Sequence, residues 1–176
     1  MVIYFLRHAS AGESLSNPKK DEQRALDRGG IEQCGYIGRA LAAMDVQVDM
    51  VVTSPLKRAA QTASLVGNEL SYEGKLQFED ALRPTAAFAD FRKMLDKYAK
   101  HETIMVVGHN PSLSEFAGRI ISVAGCEAAV ELKKGAVAKL EMGRNSAVLQ
   151  WCLTPKIVKT LHAGSAESSR PKTSRK

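Results

Sequence analysis

Three short apolar runs, each ending in a polar cluster and each followed by helical spacing, constrain this chain more than any other feature. Residues 2–6, 49–53 and 103–108 are too short for helices and rich in β-branched residues, the character of strands buried on both faces in a parallel sheet. Residues 30–44 repeat Ile31, Cys34, Ile37 and Leu41 at intervals of three or four, and residues 57–70 form a second amphipathic stretch. A third covers 88–98, aligning Phe88, Phe91, Leu95 and Tyr98, and a fourth covers 113–123 after the start signals Asn110, Pro111 and Ser112. Residues 136–141 and 147–153 alternate instead, and the turn signal Gly143, Arg144, Asn145 between them predicts an antiparallel hairpin at one side of the sheet. Repeated β-α units with right-handed crossovers give an α/β fold, a three-layer α/β/α sandwich on a mixed, mainly parallel central sheet.

With 176 residues the chain is long enough to bury a self-sufficient core, and no apolar run approaches the ~20 residues of a membrane span. Its first residues lack the basic segment of a signal peptide, and Cys34, Cys126 and Cys152 form no C-x-x-C pair, so reduced thiols in a cytoplasmic chain are expected. The formal charge of +6 is not spread evenly. Residues 156–176 hold six Lys or Arg against Glu167, leaving the preceding 155 residues almost balanced. That argues against a nucleic-acid-binding face and for a local basic pocket. The division expected is a domain over residues 1–155 and a basic, disordered tail over 156–176.

Ligands of open α/β sheets bind beyond the carboxyl ends of the strands, and the polar clusters fall there. The first strand ends in Arg7-His8, the second in Ser54-Pro55 leading to Arg58, and the third in Gly108-His109-Asn110-Pro111. If these strands are neighbours, two arginines and two histidines face one crevice, with helix-start N–H groups after Pro55 and Pro111. Such a set suits a doubly charged tetrahedral anion such as phosphate. Arginine supplies permanently charged bidentate donors, and imidazole acts near neutrality as cation or nucleophile.

Other phosphate chemistries lack their residues. There is no G-x-x-x-x-G-K-[ST] loop, and the positions six after each cysteine are Ala40, Leu132 and Val158, so no C-x5-R nucleophile exists. No D-x-D follows a strand, and no H-E-x-x-H or carboxylate cluster marks a metal site, so no metal or cofactor is expected. A histidine nucleophile remains.

The motifs L-R-H-A at 6–9, S-P-L-K-R-A-A-Q-T at 54–62 and V-V-G-H-N-P at 106–111 resemble the ordered motifs of the histidine phosphatase superfamily, the phosphoglycerate-mutase-like fold, over roughly residues 1–155. Short length, few insertions and L-D-R-G-G at 26–30 make the chain most similar to SixA-type phosphohistidine phosphatases. The resemblance implies His8 as the phosphorylated nucleophile, with Arg7, Arg58 and His109 around the phosphoryl group; Asn110 joins them as a further phosphate contact. It departs from the superfamily at Ala9, where Gly is usual and the backbone passes the phosphate.

It departs again at the mid-chain acid. Many members place a Glu after a middle strand to protonate an alkoxide leaving group, whereas this chain has Ala81 there, with Glu79 and Asp80 as nearby candidates. A phosphoramidate leaves as a far weaker base than an alkoxide and can dispense with that acid. The expected function is therefore a metal-independent phosphatase acting on phosphohistidine in a partner protein. The alternatives are a phosphatase of small phosphorylated molecules and a non-catalytic phosphate-binding module.

Overall fold

The computed structural model describes residues 1–144 and 146–168. Its sheet contains β1 (Val2–Arg7), β2 (Met50–Thr53), β3 (Gln77–Phe78), β4 (Thr103–Gly108), β5 (Val137–Met142) and β6 (Ala147–Leu153), in the order β3-β2-β4-β1-β5-β6. The first four run parallel, while β5 is antiparallel to β1 and β6 to β5, so the sheet is mixed and mainly parallel as expected. Asn145, the last residue of the turn signal read between those strands, lies outside the described residues.

Strand alternation divides the core in two. Ile3, Phe5, Ile104 and Val106 pack on one face with Phe91, Leu95, Leu113 and Phe116 of α4 (Phe88–Lys97) and α5 (Ser112–Ile121). Tyr4, Leu6, Met105 and Val107 pack on the other with Cys34, Ile37 and Leu41 of α2 (Arg28–Ala43) and Ala59, Ala63 and Val66 of α3 (Lys57–Glu69). Two such clusters on one sheet make the three-layer sandwich. The four expected helices lie within two residues of their sequence-read bounds.

Besides the two-residue β3 and a single 3-10 turn at Asp80–Leu82, two α-helices were not read from the sequence. One is the five-residue α1 (Pro18–Glu22), started by the Asn17 side chain accepting from the Lys20 N–H, with Pro18 in the first turn. The other corrects the expectation of a disordered tail from residue 156. Pro155–Ser168 is helix α6, packed on α2, with Val158 only 5% exposed. Thr154 starts it, its hydroxyl accepting from the Ile157 N–H and its carbonyl from the Val158 N–H. A Thr-Pro start signal and one apolar anchor outweigh the polar composition that follows. Residues 169–176, the rest of that tail, lie outside the described residues.

Candidate active site

β1, β4 and β2 are neighbours, and their register pairs Arg7 with Gly108 and Thr53 with Val107. The His8 N–H donates to the Gly108 carbonyl (3.0 Å) and the Ser54 N–H to the Val107 carbonyl (2.9 Å), so the three polar clusters leave the sheet at one level. Arg7, His8, Arg58, His109 and Asn110 line one crevice of about 640 Å³ together with Gly12, Glu13, Ser14, Arg24, Pro84 and Lys134. A larger hollow of about 720 Å³ beside α5, lined by Phe88, Arg119 and Glu127 among others, contains no histidine and none of the strand-end residues.

Each arginine is fixed by one nitrogen. Arg7 Nη1 donates to the Leu132 carbonyl (2.8 Å), and Arg58 Nη1 donates to the Asp21 carbonyl (2.9 Å) and lies 3.2 Å from the Asp21 carboxylate. In both, Nε is buried with no partner. Two guanidinium groups anchored at the tip and unsatisfied along the flank are prepared for an anion, because a buried donor without a partner is costly. Burial lowers the pKa of both, yet both remain cations in the neutral range.

The His8 and His109 rings stand 4.9 Å apart. His8 Nδ1 is 2.8 Å from the Ala9 carbonyl, and since a carbonyl only accepts, Nδ1 carries the proton and Nε2 keeps its lone pair. Burial, reinforced by Arg58, Arg7 and Arg24, lowers the His8 pKa to about 4 despite that hydrogen bond. At neutral pH the His8 ring is therefore uncharged, with its Nε2 lone pair free. His109 Nε2 lies 2.9 Å from Ser54 Oγ, while its Nδ1 is buried without a partner. Burial first, then the neighbouring His8 and Arg58, lowers its pKa to about 2. His109 is therefore uncharged at neutral pH, and a phosphate dianion beside it would favour the charged form.

The other expected residues divide. Asn110 lines the crevice, but its amide nitrogen donates to the Leu132 carbonyl (2.9 Å) and its oxygen accepts from Ser114 (2.9 Å), so its side chain holds the loop that also anchors Arg7. Of the helix-start amides, that of Leu56 donates to Ser54 Oγ and that of Leu113 to the His109 carbonyl. The Ala9 methyl does not line the crevice but is buried in the core with α2 and α3. Glu79 and Asp80 lie outside the crevice. Glu79 accepts from Lys97 and Tyr98; burial pushes its pKa up, but these bonds outweigh it and hold the carboxyl below the usual range, hence ionised. Asp80 is 82% exposed and bonded to Arg83.

Several supporting residues were passed over although their motifs were recognised. Ser54 reaches His109, Gln61 accepts from the Leu26 N–H (2.8 Å), and Thr62 Oγ1 accepts from the Ala9 N–H (3.1 Å). Asp27 caps α2 through the Gly30 N–H and accepts from Ser10 Oγ and the Gly12 N–H, bracing the loop behind His8. Gly30 lies so close to Ser10 that a Cβ there would stand 2.0 Å from the Ser10 carbonyl oxygen. Arg24, Lys134 and Glu13 carried no sequence signal, being placed by loop and helix geometry. Among the described residues no cluster of three or more His, Cys, Asp or Glu could hold a metal ion.

Comparison with known proteins agrees with this geometry. Residues 3–87 match the histidine phosphatase superfamily, branch 1. An uncharacterised Mycobacterium tuberculosis protein is 30% identical over 71% of this chain and 75% of its own length, and one from Picosynechococcus is 29% identical over 81% and 86%. The mitochondrial serine/threonine-protein phosphatase Pgam5 of Drosophila persimilis is 37% identical, but over only 40% of this chain and 24% of that protein. Among solved structures, the protein histidine phosphatase SixA complexed with tungstate superposes with a TM-score of 0.80 at 19% identity, over 90% of this chain and 99% of SixA. The α-ribazole phosphatase of Shigella flexneri gives 0.69 at 17% identity, over 88% and 97%. The chain belongs to the histidine phosphatase superfamily.

As a histidine phosphatase, it is a hydrolase whose chemistry is phosphoryl transfer through a histidine. Its crevice has the parts: a histidine with a defined free nitrogen, two anchored guanidinium groups with unsatisfied flanks, and a second histidine with an unpartnered nitrogen.

Proposed function

We propose that His8 is the phosphoryl-accepting nucleophile and that the physiological substrate is phosphohistidine in a partner protein, in a cytoplasmic signalling setting. In the first step His8 Nε2 attacks phosphorus in line, the bond to the departing imidazole nitrogen breaks, and that nitrogen keeps the electron pair or takes a proton from water. Arg7 and Arg58 hold the equatorial oxygens through their free flanks. His109 donates from Nδ1 when the Ser54 hydroxyl is bonded to its Nε2. In the second step water attacks the phosphoryl group, His8 regains its lone pair, and inorganic phosphate leaves.

The observation that carries the substrate class is the state of the acid. Glu79 is ionised by its bonds to Lys97 and Tyr98 and stands outside the crevice, so it has no proton to give an alkoxide. The likeness to SixA supports the same reading. One observation favours the rival small-molecule phosphatase: among the described residues lining the crevice, Glu13 is the one carboxylate.

Turnover of phosphohistidine, an aryl phosphate and an alkyl phosphate separates these readings. The phosphohistidine reading expects the alkyl ester to be slower by about 10² to 10⁴, the usual value of general-acid help. Equal rates, with alkyl ester turnover lost selectively in Glu13→Gln, would install Glu13 as the acid and the small-molecule reading in its place.

A further inference from the structure

Resting on the phosphatase reading of the crevice, we propose that Asp21 is a positioning residue of the reaction, aiming Arg58 at the phosphoryl group. Asp21 lies in α1 and joins three groups. Its carbonyl and carboxylate both engage Arg58 Nη1; its Oδ1 accepts from Arg24 Nε (2.8 Å) and from the Leu15 N–H (2.9 Å). The Arg24 hydrogen bond first, then the Leu15 N–H, with the charge of Arg58 adding to them, hold its carboxyl at about 2 against the opposing push of burial. It is ionised wherever the enzyme would work.

The arrangement answers a problem set by the site itself. Arg58 is a buried cation, with its side chain 6% exposed, and Arg24 adds a like charge beside it. A buried charge without a partner is strongly destabilising, and a long guanidinium chain free to choose among rotamers loses its aim. Asp21 supplies the counter-charge to both arginines and fixes Nη1, which leaves the Arg58 Nε flank for the anion. The next residue, Glu22, bonds Arg83 at 2.8 Å, beside the crevice-lining Pro84, so α1 is fastened on both sides. Arg7 makes no ion pair among the described residues: Glu131 acts on it only as a nearby charge, and the neutral Leu132 carbonyl fixes it.

The test uses the full chain with an aryl phosphate, beginning with Arg58→Ala as reference. Asp21→Asn should lower kcat by about 10- to 100-fold, the cost of a small misplacement of a catalytic group. KM should stay within roughly threefold, because the lost negative charge strengthens phosphate attraction while the misdirected guanidinium weakens it. In the Arg58→Ala background the same change should cost less than roughly threefold, because coupled residues do not add. Asp21→Glu, which keeps the charge, should turn over faster than Asp21→Asn; melting temperatures show which variants fold, and if Asp21→Asn does not, Asp21→Glu with and without Arg58→Ala carries the comparison. Unchanged kcat in a folded Asp21 variant, a rise in KM alone, or an equal loss with and without Arg58 would overturn the proposal. Full activity in Arg58→Ala would instead overturn the phosphatase reading of the crevice, and the proposal with it.

Discussion

Four parallel strands end on the same side of the sheet, but their ends are chemically unlike. At the ends of β1, β2 and β4, or in the helix that follows, stand buried groups lacking partners: Arg7 Nε, Arg58 Nε and His109 Nδ1. The end of β3 carries Glu79 and Asp80, whose charges are met by Lys97, Tyr98 and Arg83. Folding leaves a buried donor unsatisfied only at a cost, so the three orphans mark where a ligand completes the structure, and the satisfied carboxylates mark where the structure is already complete. The fourth orphan among the described residues, His101 Nε2, precedes β4 at the opposite edge of the sheet, far along the strand from the crevice.

The contrast predicts graded effects. Arg7→Ala and Arg58→Ala should each lower aryl phosphate turnover by roughly 10² to 10³, the cost of one preorganised donor to a developing charge; steady-state kinetics measures it, and a loss under tenfold would remove the arginine from the site. Next in size is an effect of pH. Because the charged form of His8 is disfavoured, its ring should titrate near 4 by NMR, with no transition near the ordinary 6.5. The unfolded chain then binds a proton that the folded chain refuses, so stability should decline as pH falls from about 6.5 toward 4. Smallest should be Glu79→Gln and Asp80→Asn, each leaving phosphohistidine turnover within roughly twofold, as expected of charges away from the reacting group. A selective loss of activity there would erase the difference between the strand ends.

Much of this was legible in the sequence, because strands buried on both faces and helices with a regular apolar stripe write their periodicity directly. Arg7, His8, Arg58 and His109 were legible because three strand ends repeat one chemistry, and adjacency of β1, β4 and β2 was the one condition the structure had to meet. Asp21 was not, since a single acidic residue in a five-residue helix has no period, and its partner Arg58 is 37 positions away. Glu79 misled for a related reason: its distance from the missing acid position is one of sequence, while its hydrogen bonds to residues 18 and 19 positions on decide where the carboxylate lies. In α6 composition misled, the Thr154-Pro155 start and the buried Val158 being a small signal before a polar stretch.

The central claim is that His8 Nε2 takes the phosphoryl group. Brief reaction of the chain with a labelled phosphohistidine or aryl phosphate, rapid quenching and peptide mapping tests it directly, with His8→Ala as the control. One base-stable, acid-labile label is expected on a peptide containing His8, with no label in the variant, which keeps its fold but has lost turnover. Label on another residue, or turnover persisting in His8→Ala, would contradict it.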